Sequence, residues 1–204
     1  MIPQKAVNII IDLWPIVTLI SVVLIALRIT YLVLNHKRFI LYKELISLCF
    51  IIYIIMLFEL VTTTDFESFS NNYIPFKEIF RYSFTSKLFY RNVVGNIVLF
   101  IPFGYFVSYY CKLNKKGYIA ALITLITSLT IEVIQMGIGR SFDVDDIILN
   151  VIGGILGYLF YYIFEKIFNK YNEKFKNNLL LNIICIIIII VLALIILNLY
   201  GVII

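Results

Sequence analysis

The chain has 204 residues, 62% of them hydrophobic and 14% charged, with a mean hydropathy of +1.01. Soluble domains are about 45–50% apolar and about 25% charged, so a water-soluble fold of this size is excluded and the bilayer becomes the solvent. Seventeen Lys and Arg against twelve Asp and Glu give a net charge of +5, which in a membrane chain reports orientation and anionic headgroups, so no nucleic-acid partner is implied.

Apolar windows predict an all-α fold, a polytopic transmembrane helical bundle forming one membrane domain over 1–204, with about six spans at 16–34, 45–61, 93–111, 118–136, 147–164 and 179–200. Each is long enough for a hydrocarbon core of about 30 Å and closes its backbone hydrogen bonds internally. The first is followed by Asn35, His36, Lys37 and Arg38 and not by a small-residue cleavage site, which marks an uncleaved span ending in the cytoplasm. Glu44 and Glu59 flank the second. From Thr62 to Arg91 the chain is polar and aromatic, with Phe66, Phe69, Tyr73, Phe76, Phe80, Tyr82, Phe84, Phe89 and Tyr90. It is too long for a passive connector and too polar to span, so it is placed on the surface with its rings in the headgroup zone.

Pro102 removes one hydrogen bond in the third span and predicts a kink beside Asn96. In the fifth, Gly153 and Gly157 form a small-xxx-small pair that lets another helix approach closely. The isoleucine-rich sixth has no polar face and suits lipid. Cys49, Cys111 and Cys185 fall in separate apolar runs without metal or redox spacing, and His36 reads as a solvated surface residue. No metal-ligand motif, nucleotide loop or nucleophile–histidine arrangement is present, and any cofactor is left unknown.

The connectors at 35–44, 112–117 and 165–178 carry ten Lys and Arg, against six on the other side. That bias predicts both termini outside the cell membrane, with Arg28 snorkelling from the first span toward the inner surface. On this topology Asn92, Asn96, Glu132, Gln135, Arg140, Asp143, Asp145, Asp146 and Asn150 share one outer depth. Spacings of three or four put Asn92 with Asn96, Glu132 with Gln135, and Asp146 with Asn150 on single helix faces. An ionised Glu132 within the apolar zone would cost about 2.5–3.5 kcal/mol, so it is expected to be protonated, paired or facing a wet cavity, with Arg140 as the candidate partner. One of the three aspartates suffices to cap the fifth helix, and the others are open to a cation or a cationic headgroup. Asn96 and Asn150 are equally open to a role as interhelical hydrogen-bond glue.

Four segments, Asn72 to Phe76, Asn92 to Gly104, Glu132 to Gln135, and Arg140 to Asp146 running on to Asn150, Gly153 and Gly154, together resemble the VanZ-like membrane proteins. The resemblance covers about 71–162 and leaves an extra transmembrane helix at about 179–200. It implies an integral membrane protein of a Gram-positive cell envelope, expected to lower susceptibility to glycopeptides such as teicoplanin, and it implies no reaction.

The preferred functional reading is a lipid-binding pocket in the outer leaflet, taking a lipid headgroup or a lipid-linked wall precursor as partner besides the bilayer itself. Asn92, Asn96, Gln135, Asp143, Asp145 and Asn150 would bind it. An alternative is a membrane enzyme modifying a headgroup, with Glu132 as general acid or base and Arg140 and Asp146 beside it. A transporter is a further alternative, although the inverted repeat expected of many transporters is missing.

Overall fold

The computed structural model describes residues 4–62, 71–170, 181–183 and 185–187. It is all-α: α1 is Gln4–Leu34, α2 Leu41–Thr62, α3 the single turn Lys87–Phe89, α4 Gly95–Cys111, α5 Gly117–Gly137 and α6 Val144–Lys170. A π turn, Tyr90–Val94, joins α3 to α4 without a break. Among the described residues five helical stretches are long and apolar enough to cross a membrane. The predicted sixth span, 179–200, lies mostly outside the described residues, of which 181–183 and 185–187 are helical. The helices outrun their apolar windows, because backbone hydrogen bonding continues into polar flanks such as Glu165 and Lys166 at the end of α6.

The chain divides into two compact units, residues 1–56 with 168–204, and residues 57–167. In the first unit Arg28 and Glu44 form a two-pronged pair, Nε to Oε2 at 2.7 Å and a terminal guanidinium nitrogen to Oε1 at 3.1 Å. The arginine stem therefore reaches sideways from α1 to the first turn of α2 rather than acting alone. Asn182 accepts the Tyr42 amide at 3.0 Å, tying the 181–183 segment to the start of α2.

In the second unit α4, α5 and α6 run up, down and up, joined by the short connections 112–116 and 138–143, as helices that pack on their sequence neighbours do. Glycine decides how close α4 and α6 lie. A side chain at Gly104 would strike the Gly154 carbonyl, one at Gly153 the Ile97 carbonyl, and one at Gly157 the Ile101 carbonyl. The small-residue pair expected to admit a neighbour thus does so, with Gly104 as its counterpart on the facing helix. On α5, Thr124, Ser128 and Glu132 recur every four residues and are all buried. Gly154 leaves room for Thr124, whose hydroxyl bonds back to the Ala120 carbonyl at 2.8 Å. Pro102 lies inside α4, and a π turn precedes that helix.

Candidate polar site at one end of the bundle

Residues 138–143 turn the chain from α5 into α6 and place most of the charged groups. Gly139 has a φ of 89°, in the left-handed region that glycine enters without steric cost. The Gly139 amide donates to the Met136 carbonyl at 3.2 Å and the Arg140 amide to the Gln135 carbonyl at 2.9 Å. These are the paired bonds of a Schellman ending, which satisfies the last carbonyls of α5 and sets Arg140 at the mouth of the turn. Arg140 is close enough for its charge to act on both Glu132 and Asp146.

The three aspartates, alike in sequence, have three different jobs. Asp143 is the cap: its Oδ1 accepts the Asp145 amide at 2.8 Å and the Asn72 side-chain amide at 2.8 Å. Burial nevertheless pushes its carboxyl above the ordinary aspartate range, against the pull of those two bonds. Asp145 is buried and turned away from its own helix. It accepts three backbone amides of the connector before α3, from Phe76, from Glu78 at 2.7 Å and from Ile79 at 3.1 Å. Asp146 accepts the Asn96 side-chain amide, linking α6 to α4.

The connector is therefore no loose surface strand. The Asn72 amide donates to the Phe142 carbonyl at 2.8 Å and the Val144 amide to the Asn72 carbonyl at 3.1 Å, an isolated parallel bridge beside the start of α6. Tyr73 stacks on Phe142 at 5.5 Å. The connector's outward side is exposed and aromatic, with Tyr73, Phe76, Phe80, Phe84 and Tyr90 each at least half exposed.

Glu132 is buried on α5, and its Oε2 accepts the Asp143 amide at 2.9 Å. One turn deeper, Asn150 of α6 donates through its Nδ2 to the Ser128 Oγ of α5 at 2.9 Å. Because α5 and α6 run in opposite directions, that bond sets Glu132 and Asp146 at one level, each a turn nearer the connection. Gln135 is buried beside them at the end of α5. The expected meeting of Asn96, Glu132, Gln135, Arg140, Asp143, Asp146 and Asn150 at one end of three helices is thus what the fold brings about.

Two expected members lie differently. Asn92 faces the connector, donating to the Tyr82 hydroxyl at 3.1 Å and accepting from the Arg91 Nε at 3.1 Å. The reason is the π turn, whose wider pitch breaks the four-residue register assumed between Asn92 and Asn96. Asp145, assigned to ligand binding, is engaged with the connector's backbone instead. Sequence reasoning in turn missed three contributors. Ser128 and Thr124 were legible as a four-residue polar repeat leading to Glu132, whereas nothing local marked Asn72 as a partner for a residue 71 positions away. Among the described residues no three His, Cys, Asp or Glu side chains are grouped so as to hold a metal ion.

A family model described as VanZ/LLP1 matches residues 44–165, reaching upstream of the four motifs into α2. Protein VanZ of Enterococcus faecium is 26% identical over 113 residues, covering 54% of this chain and 63% of that protein. The chain thus matches less than two thirds of that relative's length. No solved structure matches. The family match takes in well over half of the chain and all the residues of the polar site, and the protein belongs to the VanZ/LLP1 family of membrane proteins.

Proposed function

We propose that the protein works in the bacterial cell envelope, with the polar end of α4, α5 and α6 in the outer leaflet as a binding recess for an amphiphile. The ligand is the headgroup of a membrane lipid or a lipid-linked wall precursor, and occupancy lowers teicoplanin susceptibility by limiting the drug's access. The observation that carries this reading is the gathering of polar groups from three helices: Asn96 donates to Asp146, and Glu132 accepts the amide of Asp143, the residue bridged to Asn72. Polar groups are costly within the apolar zone, and three helices converging them on one spot favours a site over scattered helix glue. The excess of Lys and Arg in the connectors at 35–44, 112–117 and 165–178 supports placing the recess outside and both termini with it.

The test is protection in a susceptible host. Glu132→Gln and Arg140→Ala should each abolish protection against teicoplanin while membrane abundance stays normal. Full protection by both variants at normal abundance would remove the proposed site, and labelling that put Lys115 and Arg140 on the same side would remove its placement.

A further inference from the structure

Among the described residues one buried side-chain polar atom at this end of the bundle is left unsatisfied by the protein. Asn150 is buried at 5% exposure, its Nδ2 is spent on Ser128, and its Oδ1 has no hydrogen-bond partner. A buried acceptor left open costs about 1–3 kcal/mol, so something that donates a hydrogen bond belongs beside it. Its position says what kind of group that is. Asn150 lies one helical turn below Asp146, and Ser128 one turn below Glu132, so the open oxygen sits under two carboxylates that are within Coulombic reach of each other. Asn96 supplies one donor to Asp146 and the Asp143 amide one to Glu132, and each carboxylate retains further acceptor capacity.

An anion entering here would meet Glu132, Asp146 and Asp143 and would leave the Asn150 oxygen unpaired. A primary ammonium has three N–H donors and one positive charge, and matches the three acceptors in number and sign. We propose that the group bound at the floor of the recess is a primary ammonium, the amino end of an aminated lipid headgroup or of a small soluble amine, held by Asn150 Oδ1, Glu132 and Asp146. This deepens the function proposed above and rests on it. A phosphate carried by the same ligand stays at the mouth, on the Arg140 side of the turn.

Native mass spectrometry of the full chain in detergent micelles tests this with four lipids of equal acyl composition: phosphatidylethanolamine, its N-acetyl derivative, phosphatidylcholine and phosphatidylglycerol. Phosphatidylethanolamine should bind at least tenfold more tightly than the other three. Asn150→Leu should cut that preference at least fivefold without lowering the melting temperature, whereas Asn150→Asp should keep or increase it, so a Leu variant that fails to fold leaves the test standing. Free ethanolamine that displaces the lipid at micromolar concentration would assign the site to a soluble amine, and displacement only at high millimolar concentration to the lipid. Equal binding of the N-acetyl derivative, or a preference for phosphatidylglycerol, would overturn the ammonium assignment. If such headgroup-blind binding is still lost in Glu132→Gln, the recess survives as a lipid site and only its chemistry is wrong; if Glu132→Gln binds every lipid like the wild type, both proposals fall.

Discussion

The α1 and α2 helices on one side of the comparison, and α4, α5 and α6 on the other, are all long and apolar enough to span, yet they are built for different surroundings. Only 6% of the apolar window of α1 and 6% of that of α2 is buried within the protein, against 33% for the stretch containing α4, 28% for α5 and 39% for α6. In α1 the large apolar residues Leu19, Val22, Leu27 and Val33 all point outward. In the three-helix group, close approach is secured by glycine and small hydroxyl residues, and the buried interior holds Ser108, Thr124, Ser128, Glu132 and Asn150. Lipid chains are as apolar as leucine, so apolar residues gain nothing by facing another helix, whereas small and polar residues do. Buried polar groups accordingly gather where packing is tight, not where hydropathy is greatest.

Breaking the tight group should cost most. Gly154→Leu drives a side chain into Thr124, and with overpacking penalties of about 1–3 kcal/mol it should at least halve the monodisperse fraction in fluorescence-detected size exclusion. Leu27→Ala on exposed α1 should leave that fraction unchanged. Equal behaviour of the two variants would abolish the distinction between the helix groups. The anchoring of the connector should come next. Asp145→Ala removes the acceptor of three amides and should cost about 1.5–3 kcal/mol, the weight of one charged hydrogen bond, with water partly replacing the other two. Trypsin should then cut faster at Lys77 and Arg81 in the detergent-solubilised protein, and an unchanged cleavage rate would show that Asp145 does not anchor the connector. The smallest effect should come from Arg28→Ala. Arg28 is half exposed, and such a pair contributes about 0–1 kcal/mol after solvent screening, so the melting temperature should move by no more than a degree or two. A larger shift would place real structural weight on the α1 and α2 pair.

Much of the candidate site was visible in sequence because it obeys helical arithmetic. Glu132 and Gln135, and Asp146 and Asn150, sit where three- and four-residue spacings put them, and Gly153 with Gly157 forecast a close contact. That arithmetic failed at Asn92, where a π turn changed the pitch, and it could not assign separate roles to Asp143, Asp145 and Asp146. Those roles depend on partners 50 to 71 residues away: Asn96 for Asp146, the amides near Phe76 for Asp145, and Asn72 for Asp143.

By itself the sequence determined the class of fold, the approximate helix windows and the family, because apolar length and helical period are local properties that the bilayer converts directly into spans. Only the tertiary structure decided which aspartate caps, which holds the connector and which joins two helices, and that Asn150 keeps an open acceptor. The physical reason is that hydrogen bonds are matched in space: a donor far along the chain settles the use of an acceptor, and spacing along one helix carries no trace of it.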